Sequence, residues 1–252
     1  MTDQASASAA DLRTRLAALL RQGHGDERGF GVRISREKRE RTGTVDAWAP
    51  KEYIGHNAFW REREAERALA LGRGEQGPVF DDFQSLNTES FTDLAAHSWD
   101  EAIEWSRQST EALIAAVESL PNAVLFGPAR PPTVTGTVSL LEMVVNNGYA
   151  HPQQHLAELI AAHVSFEAGI AARFQALNAI EALDAGPAVM ANARYNTACA
   201  LASTIAHVEA IELLRRAFTE SPRLIALARQ DTDLDPLRDD PAFQAMVAEE
   251  RG

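Results

Sequence analysis

The sequence has few of the features that mark several classes of protein. It contains a single cysteine, Cys199, which excludes an internal disulfide and favours a reducing compartment such as the cytoplasm. Cys199 lies in a helical pattern of small and apolar residues, which is typical of a buried hydrophobic position rather than of a nucleophile. No run of about 18 apolar residues occurs, and no basic region precedes an apolar stretch at the start. We therefore expect neither a membrane span nor a signal peptide.

Positive charge is also scarce in this chain. The formal net charge is −12 and the pI is near 5.0, so we do not expect a nucleic-acid-binding surface as the main function. Basic residues cluster once, between Arg33 and Arg41, but Glu37 and Glu40 interrupt the cluster, which is typical of a solvated helix face. The 252 residues, 45% of them hydrophobic, fit one large globular domain or two small ones.

Apolar residues recur at helical spacing and predict an all-α fold. The first helix is expected from about Ser8 to Ile34, because leucines recur at that spacing through its first half. Glycines from Gly23 to Gly31 weaken this prediction, since each costs up to about 1 kcal/mol in a helix interior. We expect one long helix here, either continuous or broken, with His24 at its surface or boundary.

Three further long helices are expected in the first two thirds of the chain. Pro50 suits the first turn of the second helix, and Gly72 is expected to end it. Ser98 and Glu101 form a capping box that opens the third. The expected limits are residues 50–71, 98–121 and 137–163. Residues 1–165 therefore predict a four-helix bundle, a fold in which metal sites form from side chains on facing helices.

Two histidines four residues apart, His151 and His155, stand out within the fourth helix. This spacing places both imidazoles on one helix face, where they can reach one metal ion or simply face solvent. Pro152 lies between them, and it removes a backbone N–H and crowds the carbonyl of Gly148. We expect His151 at a kink or at the start of a new helical segment.

A third histidine, His56, lies on a stripe of the second helix that it shares with Tyr53, Trp60 and Glu64. Because two aromatic residues belong to this stripe, we expect it to face the interior. A histidine in such a position is either a satisfied core residue or a metal ligand. His163, two turns after the histidine pair, is either a spare ligand or a surface residue.

The last third of the chain has a different pattern. An alanine-rich helix is expected over residues 167–183, followed by a segment with small residues at Ala198, Ala210 and Ala217 and a proline at Pro222. This spacing matches one unit of the 34-residue helix–turn–helix repeat. One such unit cannot bury its own apolar face, so it must pack on the preceding helix, on the bundle or on a partner. A short closing helix is expected from about residue 241.

Residues of about 9–165 resemble the DinB-like superfamily of four-helix bundles, and the Asn87 segment is most similar to the branch related to the colibactin self-protection proteins. The motifs that carry the resemblance are Trp48-x-x-Lys51-Glu52-x-x-x-His56-x-x-x-Trp60, Ser98-Trp99 and His151-Pro152-x-x-His155. Residues of about 167–245 resemble a tetratricopeptide-type unit with its Asp-Leu-x-x-Leu-Arg-x-Asp-Pro-x-Phe tail, which implies protein contacts. The expected domains are therefore 1–165 and 166–252.

The DinB resemblance implies an antiparallel four-helix bundle with a pocket at one end, in which His56, His151 and His155 are the metal ligands. Some members hold zinc or nickel and transfer low-molecular-weight thiols such as mycothiol or bacillithiol, and others have lost the metal. Two departures bear on the site geometry here, Pro152 within the pair and the glycine-rich first helix.

Three functions remain open at this point. The first is a metal-dependent transferase or hydrolase acting on a small electrophile, with Glu52 and Glu64 as the candidate acid–base partners. The second is a non-catalytic protein that sequesters a reactive small molecule, with the C-terminal segment recruiting a protein partner or mediating self-association. The third is metal-independent hydrolysis of a strained electrophile. Neither nucleic acid nor membrane is expected as a partner.

Overall fold

A computed structural model describes residues 2–78, 80, 83–129, 137–204 and 206–248, without the side chains of residues 2–8, 83 and 89. The described part is helical. It contains no β-strand, and its two isolated β-bridges join Thr44 to Ala47 and Pro128 to Ser139. The predicted all-α class is confirmed. None of the described helices is both long enough and apolar enough to cross a membrane.

Thirteen α-helices are described, together with one π-helical turn and one 3-10 helix. The helices before the C-terminal part are α1 Thr2–Arg33, α2 Arg36–Glu40, α3 Pro50–Gly72, α4 Phe83–Ala96, α5 Trp99–Ser119, α6 Asn122–Leu125, α7 Leu140–Val145 and α8 His151–His163, with the π turn Asn146–Ala150 between the last two. The rest are α9 Phe166–Leu183, α10 Pro187–Ala202, α11 His207–Glu220, α12 Arg223–Ala228, the 3-10 helix Thr232–Leu237 and α13 Pro241–Val247.

The glycine-rich stretch does not break α1, which is continuous from Thr2 to Arg33. Two of its glycines lie where neighbouring helices approach closely. A Cβ at Gly31 would lie 2.5 Å from the ring of Trp99, and one at Gly23 would lie 3.0 Å from the ring of Tyr149. These positions require glycine because large aromatic side chains pack directly on the helix backbone.

The capping signals read from the sequence are present where they were expected. Ser98 accepts a hydrogen bond from the N–H of Glu101, whose carboxylate accepts one from the N–H of Ser98. The helix that follows, α5, ends at Ser119, just before the expected limit. In contrast, α4 was not among the predicted long helices, and it packs beside α3.

The predicted start of the fourth helix is wrong by about three residues. The helix begins at Leu140 instead of about Thr137, because Ser139 and Glu142 form a capping box there. It is then interrupted by the π turn, in which the N–H of His151 donates to the carbonyl of Asn146, five residues back. The expectation that His151 starts a new helical segment is confirmed.

Pro152 leaves the carbonyl of Gly148 without its usual helical donor. Arg61 from α3 replaces that donor, since its Nε lies 3.1 Å from the Gly148 oxygen. Adding a Cβ at Gly148 would bring it within 2.6 Å of Leu20 and 2.9 Å of Leu113. The irregular turn is therefore held from three sides by α1, α3 and α5.

Arg61 and Glu27 form a buried ion pair that links these helices. Both side chains are 0% exposed, and Arg61 Nη2 lies 2.9 Å from Glu27 Oε1. Arg61 Nη1 also donates to Ser106 Oγ of α5, and Asn57 Nδ2 donates to Glu27 Oε1, each at 2.9 Å. Separating the two side chains would leave a charge buried without its partner, which would strongly destabilise the fold. The pair and its hydrogen bonds therefore fix the register of these helices against one another.

The larger apolar core runs without interruption from Leu12 in α1 to Phe243 in α13. A smaller cluster around Phe30, Ile54, Trp99 and Leu156 packs α1, α3, α5 and α8 together. The larger core therefore includes residues on both sides of position 165. The division into domains at that position and the antiparallel order of the bundle stay predictions.

In the C-terminal part, α10 and α11 pack closely on each other. These two helices carry Ala198, Ala210 and Ala217, the small residues noted in the sequence, and all three are fully buried. Small side chains allow two helices to approach closely. The closing helix starts at Pro241 as expected. The assignment of this hairpin as a tetratricopeptide unit stays a prediction.

Candidate metal centre

Two helices bring three histidines to one point. His56 comes from the second turn of α3 and is 4% exposed, while His151 and His155 come from the first two turns of α8. One ring nitrogen from each lies within 4.8 Å of the others. The Nε2 atoms of His151 and His155 are 2.8 Å apart. The structure therefore brings together all three residues of the expected ligand set.

The hydrogen bonds around the cluster leave nitrogen lone pairs available. Nδ1 of His155 lies 3.4 Å from Oε2 of Glu158, so a proton on Nδ1 points to the carboxylate and leaves the Nε2 lone pair facing His151. Nδ1 of His56 is buried and has no hydrogen-bond partner among the described residues. Three imidazoles with an unmet buried nitrogen fit a divalent metal ion, whose usual protein ligands include histidine nitrogen.

Burial also keeps two of the three imidazoles neutral. It lowers the pKa of His56 well below its ordinary value, with further lowering by His151 and His155. Burial, followed by the charge of His155, lowers the pKa of His151 to about 3. These two rings are therefore uncharged at neutral pH, which is the form in which a histidine binds a metal ion.

The carboxylate of Glu158 supports the cluster from outside. Burial opposes its ionisation, but the hydrogen bond and charge of His155 and the nearby guanidinium of Arg173 lower its pKa overall. Arg173 of α9 lies 3.4 Å from Oε1 of Glu158. A carboxylate beside a metal-binding histidine fixes its ring orientation and tautomer.

The three histidines line a cavity of about 430 Å³. Its aromatic wall is close to the cluster, since the rings of Trp48 and Tyr53 lie 5.1 Å and 5.0 Å from those of His56 and His155. The remaining lining residues are Val45, Asp46, Trp60, Gln84, Asn87, Thr88, Asn147 and His151. The cavity is thus partly aromatic and partly polar, and it is large enough for a small organic molecule.

The sequence did not identify the polar wall that α4 supplies through Gln84, Asn87 and Thr88. Asn87 was noted for the family resemblance and not as a lining residue. Its Oδ1 accepts a hydrogen bond from Trp60 Nε1 at 3.3 Å. The spacing of polar residues in α4 was a usable signal, but nothing local to this segment indicates that it packs over α3.

The two carboxylates considered for acid–base roles are engaged elsewhere. Glu52 accepts hydrogen bonds from the backbone N–H groups of Ala49 and Gly43 at the start of α3. Glu64 pairs with Arg67 and accepts a hydrogen bond from Asn147 Nδ2 at 2.8 Å. Burial raises the pKa of Glu64. Neither lines the cavity.

Among the described residues that line the cavity, Asp46 carries the one carboxylate. It is exposed and lies in the loop between α2 and α3. An acid–base role at this site therefore has one carboxylate candidate that the sequence did not suggest.

Three further histidines, His24, His97 and His163, lie outside the cluster. His163 packs against Phe30, with ring centroids 6.3 Å apart, so the spare-ligand interpretation is wrong for this structure. His24 is half-buried and hydrogen-bonds Ser106 through Nδ1 at 3.1 Å. His97 stacks on Trp105.

A second group of potential ligands, Cys199, Asp231 and Asp233, lies in the C-terminal part. Cys199 is buried as expected. Burial and the charge of Asp231 raise the pKa of its thiol. A protonated buried thiol is neither a good nucleophile nor a ready metal ligand.

The fold and the site together define an all-helical protein with a candidate three-histidine metal centre at the junction of α3 and α8. The sequence model of the DinB superfamily matches residues 32–159, half of the 252 residues, and this range contains all three histidines. The chain belongs to the DinB superfamily. No curated protein and no solved structure matches the chain in the same comparisons.

Proposed function

We propose that this protein binds a divalent metal ion, zinc or nickel, through His56, His151 and His155, and acts on a small electrophile. The observation that carries the proposal is the convergence of three imidazole nitrogens within 4.8 Å at a cavity, with Nδ1 of His56 buried and unpartnered among the described residues. Membership of the DinB superfamily supports it.

The chemistry we propose is thiol transfer to the electrophile or its hydrolysis, in detoxification or stress resistance. A bound divalent ion would supply Lewis-acid activation of a thiol or of water. The rings of Trp48 and Tyr53 exclude bulk water from the histidine cluster and offer an apolar surface to the electrophile. The side chains of α4 offer hydrogen bonds to its polar atoms, and Glu158 holds His155 in position.

A low-molecular-weight thiol is the proposed second substrate of the transferase reaction. The volume of about 430 Å³ admits a small electrophile beside part of such a thiol. We also propose kinship with the branch related to colibactin self-protection. Asn87 lines the cavity, so the segment that carries this resemblance would contact a molecule bound there. That position supports the assignment.

The alternative is non-catalytic sequestration of a reactive small molecule. It is favoured by the engagement of Glu52 and Glu64 in hydrogen bonds outside the cavity. A cavity with one exposed carboxylate and an aromatic wall suits binding better than proton transfer. Under either function, we propose that the α10–α11 hairpin serves contacts with a protein partner or a second copy of the chain.

The first test is elemental analysis of the untagged protein after gel filtration, beside His155→Ala and the control His163→Ala. His163 is on the same helix and outside the cavity, so both variants remove one imidazole from α8. We expect about one zinc or nickel per chain in the wild type and the control, and a large loss in His155→Ala. No metal in the wild type, even after reconstitution, would overturn the metal proposal.

The second test separates catalysis from sequestration. The loaded protein is incubated with a small alkyl halide in the presence and absence of a low-molecular-weight thiol, and both thiol and halide are quantified. Turnover that depends on the thiol supports transfer, and turnover without it supports hydrolysis. Stoichiometric uptake without turnover supports sequestration.

A further inference from the structure

A second cavity, of about 530 Å³, lies between α1 and the helices α8 and α9. Among the described residues, its lining shares no member with that of the histidine cavity. It is therefore a cavity separate from the metal centre. Four observations indicate a ligand.

The first observation concerns two glycines on the α1 side of the cavity. Gly25 and Gly29 are four residues apart and share one helix face. A Cβ added at either would meet no described atom within 4 Å, unlike one at Gly23 or Gly31. Glycine lowers the stability of a helix interior, and at these two positions no neighbouring side chain requires it. Open backbone on a cavity wall allows a ligand to approach closely.

The second observation is a hydroxyl that has no protein partner. Tyr149 lines this cavity, and its side chain is 1% exposed overall. Its hydroxyl makes no hydrogen bond with a described residue, and it does not belong to the described polar atoms that are sealed from solvent without a partner. The hydroxyl therefore opens to the cavity, where it can donate to or accept from a ligand.

The third observation is a pair of opposite charges on the same wall. Asp26 and Arg33 are seven residues apart, which places them two helical turns and roughly 10 Å from each other along α1. Asp26 is partly buried and accepts a hydrogen bond from Gln153 Nε2 at 3.2 Å, and burial raises its pKa. Arg33 forms no ion pair with any described residue.

The fourth observation is the composition of the remaining walls. Three carboxamides line the cavity from α8 and α9, and Phe30 of α1 and Leu156 of α8 add apolar side chains. The carboxamides are those of Gln153, Gln175 and Asn178. Carboxamides both donate and accept hydrogen bonds, which matches the alternating N–H and C=O groups of a peptide backbone.

We infer that this cavity binds a short zwitterionic peptide of about three residues, whose amine pairs with Asp26 and whose carboxylate pairs with Arg33. An extended chain rises about 3.3–3.6 Å per residue, so about three residues span the two charges. A bound amine would offset the burial of the Asp26 carboxylate. The Tyr149 hydroxyl would donate to a peptide carbonyl, and an apolar central side chain would contact Phe30.

The test is isothermal titration calorimetry with glycyl-leucyl-glycine, its N-acetyl form and its C-terminal amide. The variants are Gly29→Leu, which fills the cavity, and Arg28→Leu, a control that places the same side chain at the exposed neighbouring position. We expect the free peptide to bind the wild type and the control alike. Gly29→Leu and either blocked peptide should weaken binding at least about tenfold.

Folding is checked independently by circular dichroism, and Tyr149→Phe supplies a milder change that keeps the ring packed on Gly23. It should weaken binding several-fold without altering helix content. No heat of binding for the free peptide at millimolar concentration would overturn the inference. Equal binding of the blocked peptides would also overturn it, and so would unchanged binding to Gly29→Leu.

Discussion

The interiors on either side of residue 165 are built differently. Before it, the buried polar side chains include the Arg61–Glu27 pair, the Glu64–Arg67 pair and His56. After it, those among the described residues are Arg194 and Ser221, and the helix contacts consist mainly of alanine and leucine. Burying polar groups gives up stability that an apolar interior would provide. The first region therefore places polar groups at fixed positions around a site, and the second region maximises packing.

The largest expected effect on stability comes from removing one partner of the buried Arg61–Glu27 ion pair. Arg61→Met leaves Glu27 buried without its partner and removes the donor to the Gly148 carbonyl. We expect a loss of about 3–5 kcal/mol in the free energy of unfolding, measured by urea denaturation. The double variant Glu27→Gln with Arg61→Met should recover part of it. A loss below about 1 kcal/mol in the single variant would show that the pair does not stabilise the fold.

The apolar interior is tested with Leu201→Ala, a fully buried residue of α10. The cavity left behind should lower the free energy of unfolding by about 2–5 kcal/mol in the same assay. Metal content per folded chain should not change, because Leu201 lies in the larger apolar core and does not line the histidine cavity. Loss of metal together with stability would show that the two regions act as one unit.

A smaller effect, on metal affinity, is expected when the carboxylate that hydrogen-bonds His155 is replaced. Glu158→Gln keeps the shape of the side chain but removes the charge facing Nδ1 of His155. We expect metal affinity to fall by about 10–100-fold, measured by competition with a chromophoric chelator. Glu167→Gln, on α9, is a control with the same change of charge. Equal affinity in the two variants would exclude a supporting role for Glu158.

The smallest effect is a pH dependence at His24, which lies outside the metal cluster. Burial lowers the pKa of His24 below its ordinary value of 6.5. Its contribution to stability is therefore fully present above pH 6.5 and is lost as the pH falls through the lower folded-state pKa. Between pH 7 and pH 5, the wild type should lose more stability than His24→Asn in urea denaturation. Parallel curves for the two proteins would contradict this assignment.

Local signals predicted much of the fold. The Ser98 capping box, Pro50 at a first turn and the leucine spacing of α1 each depend on residues within a few positions of one another. The interruption at His151 was also predictable, because Pro152 cannot donate to Gly148. The capping box at Ser139 was equally visible in the sequence and was missed.

The site was less accessible to sequence reasoning. The spacing of His151 and His155 is equally compatible with a solvent-exposed helix face. Their proximity to His56 was expected from the family resemblance alone. The donor to Gly148, the position of α4 over the cavity and the engagement of Glu64 all depend on side chains far apart in sequence. Such contacts leave no periodic pattern along the chain.

The π turn lets the chain carry one extra residue between α7 and α8 without turning the histidines away from the site. Five residues in a π turn rotate the chain by about as much as four residues in an α-helix. Deleting one residue from Asn146–Ala150 would therefore restore regular helix and leave His151 and His155 facing His56. By contrast, a deletion within regular helix rotates every later residue by about 100°. The π turn is thus a point at which the length of this helix can change by one residue while the histidine pair keeps its direction.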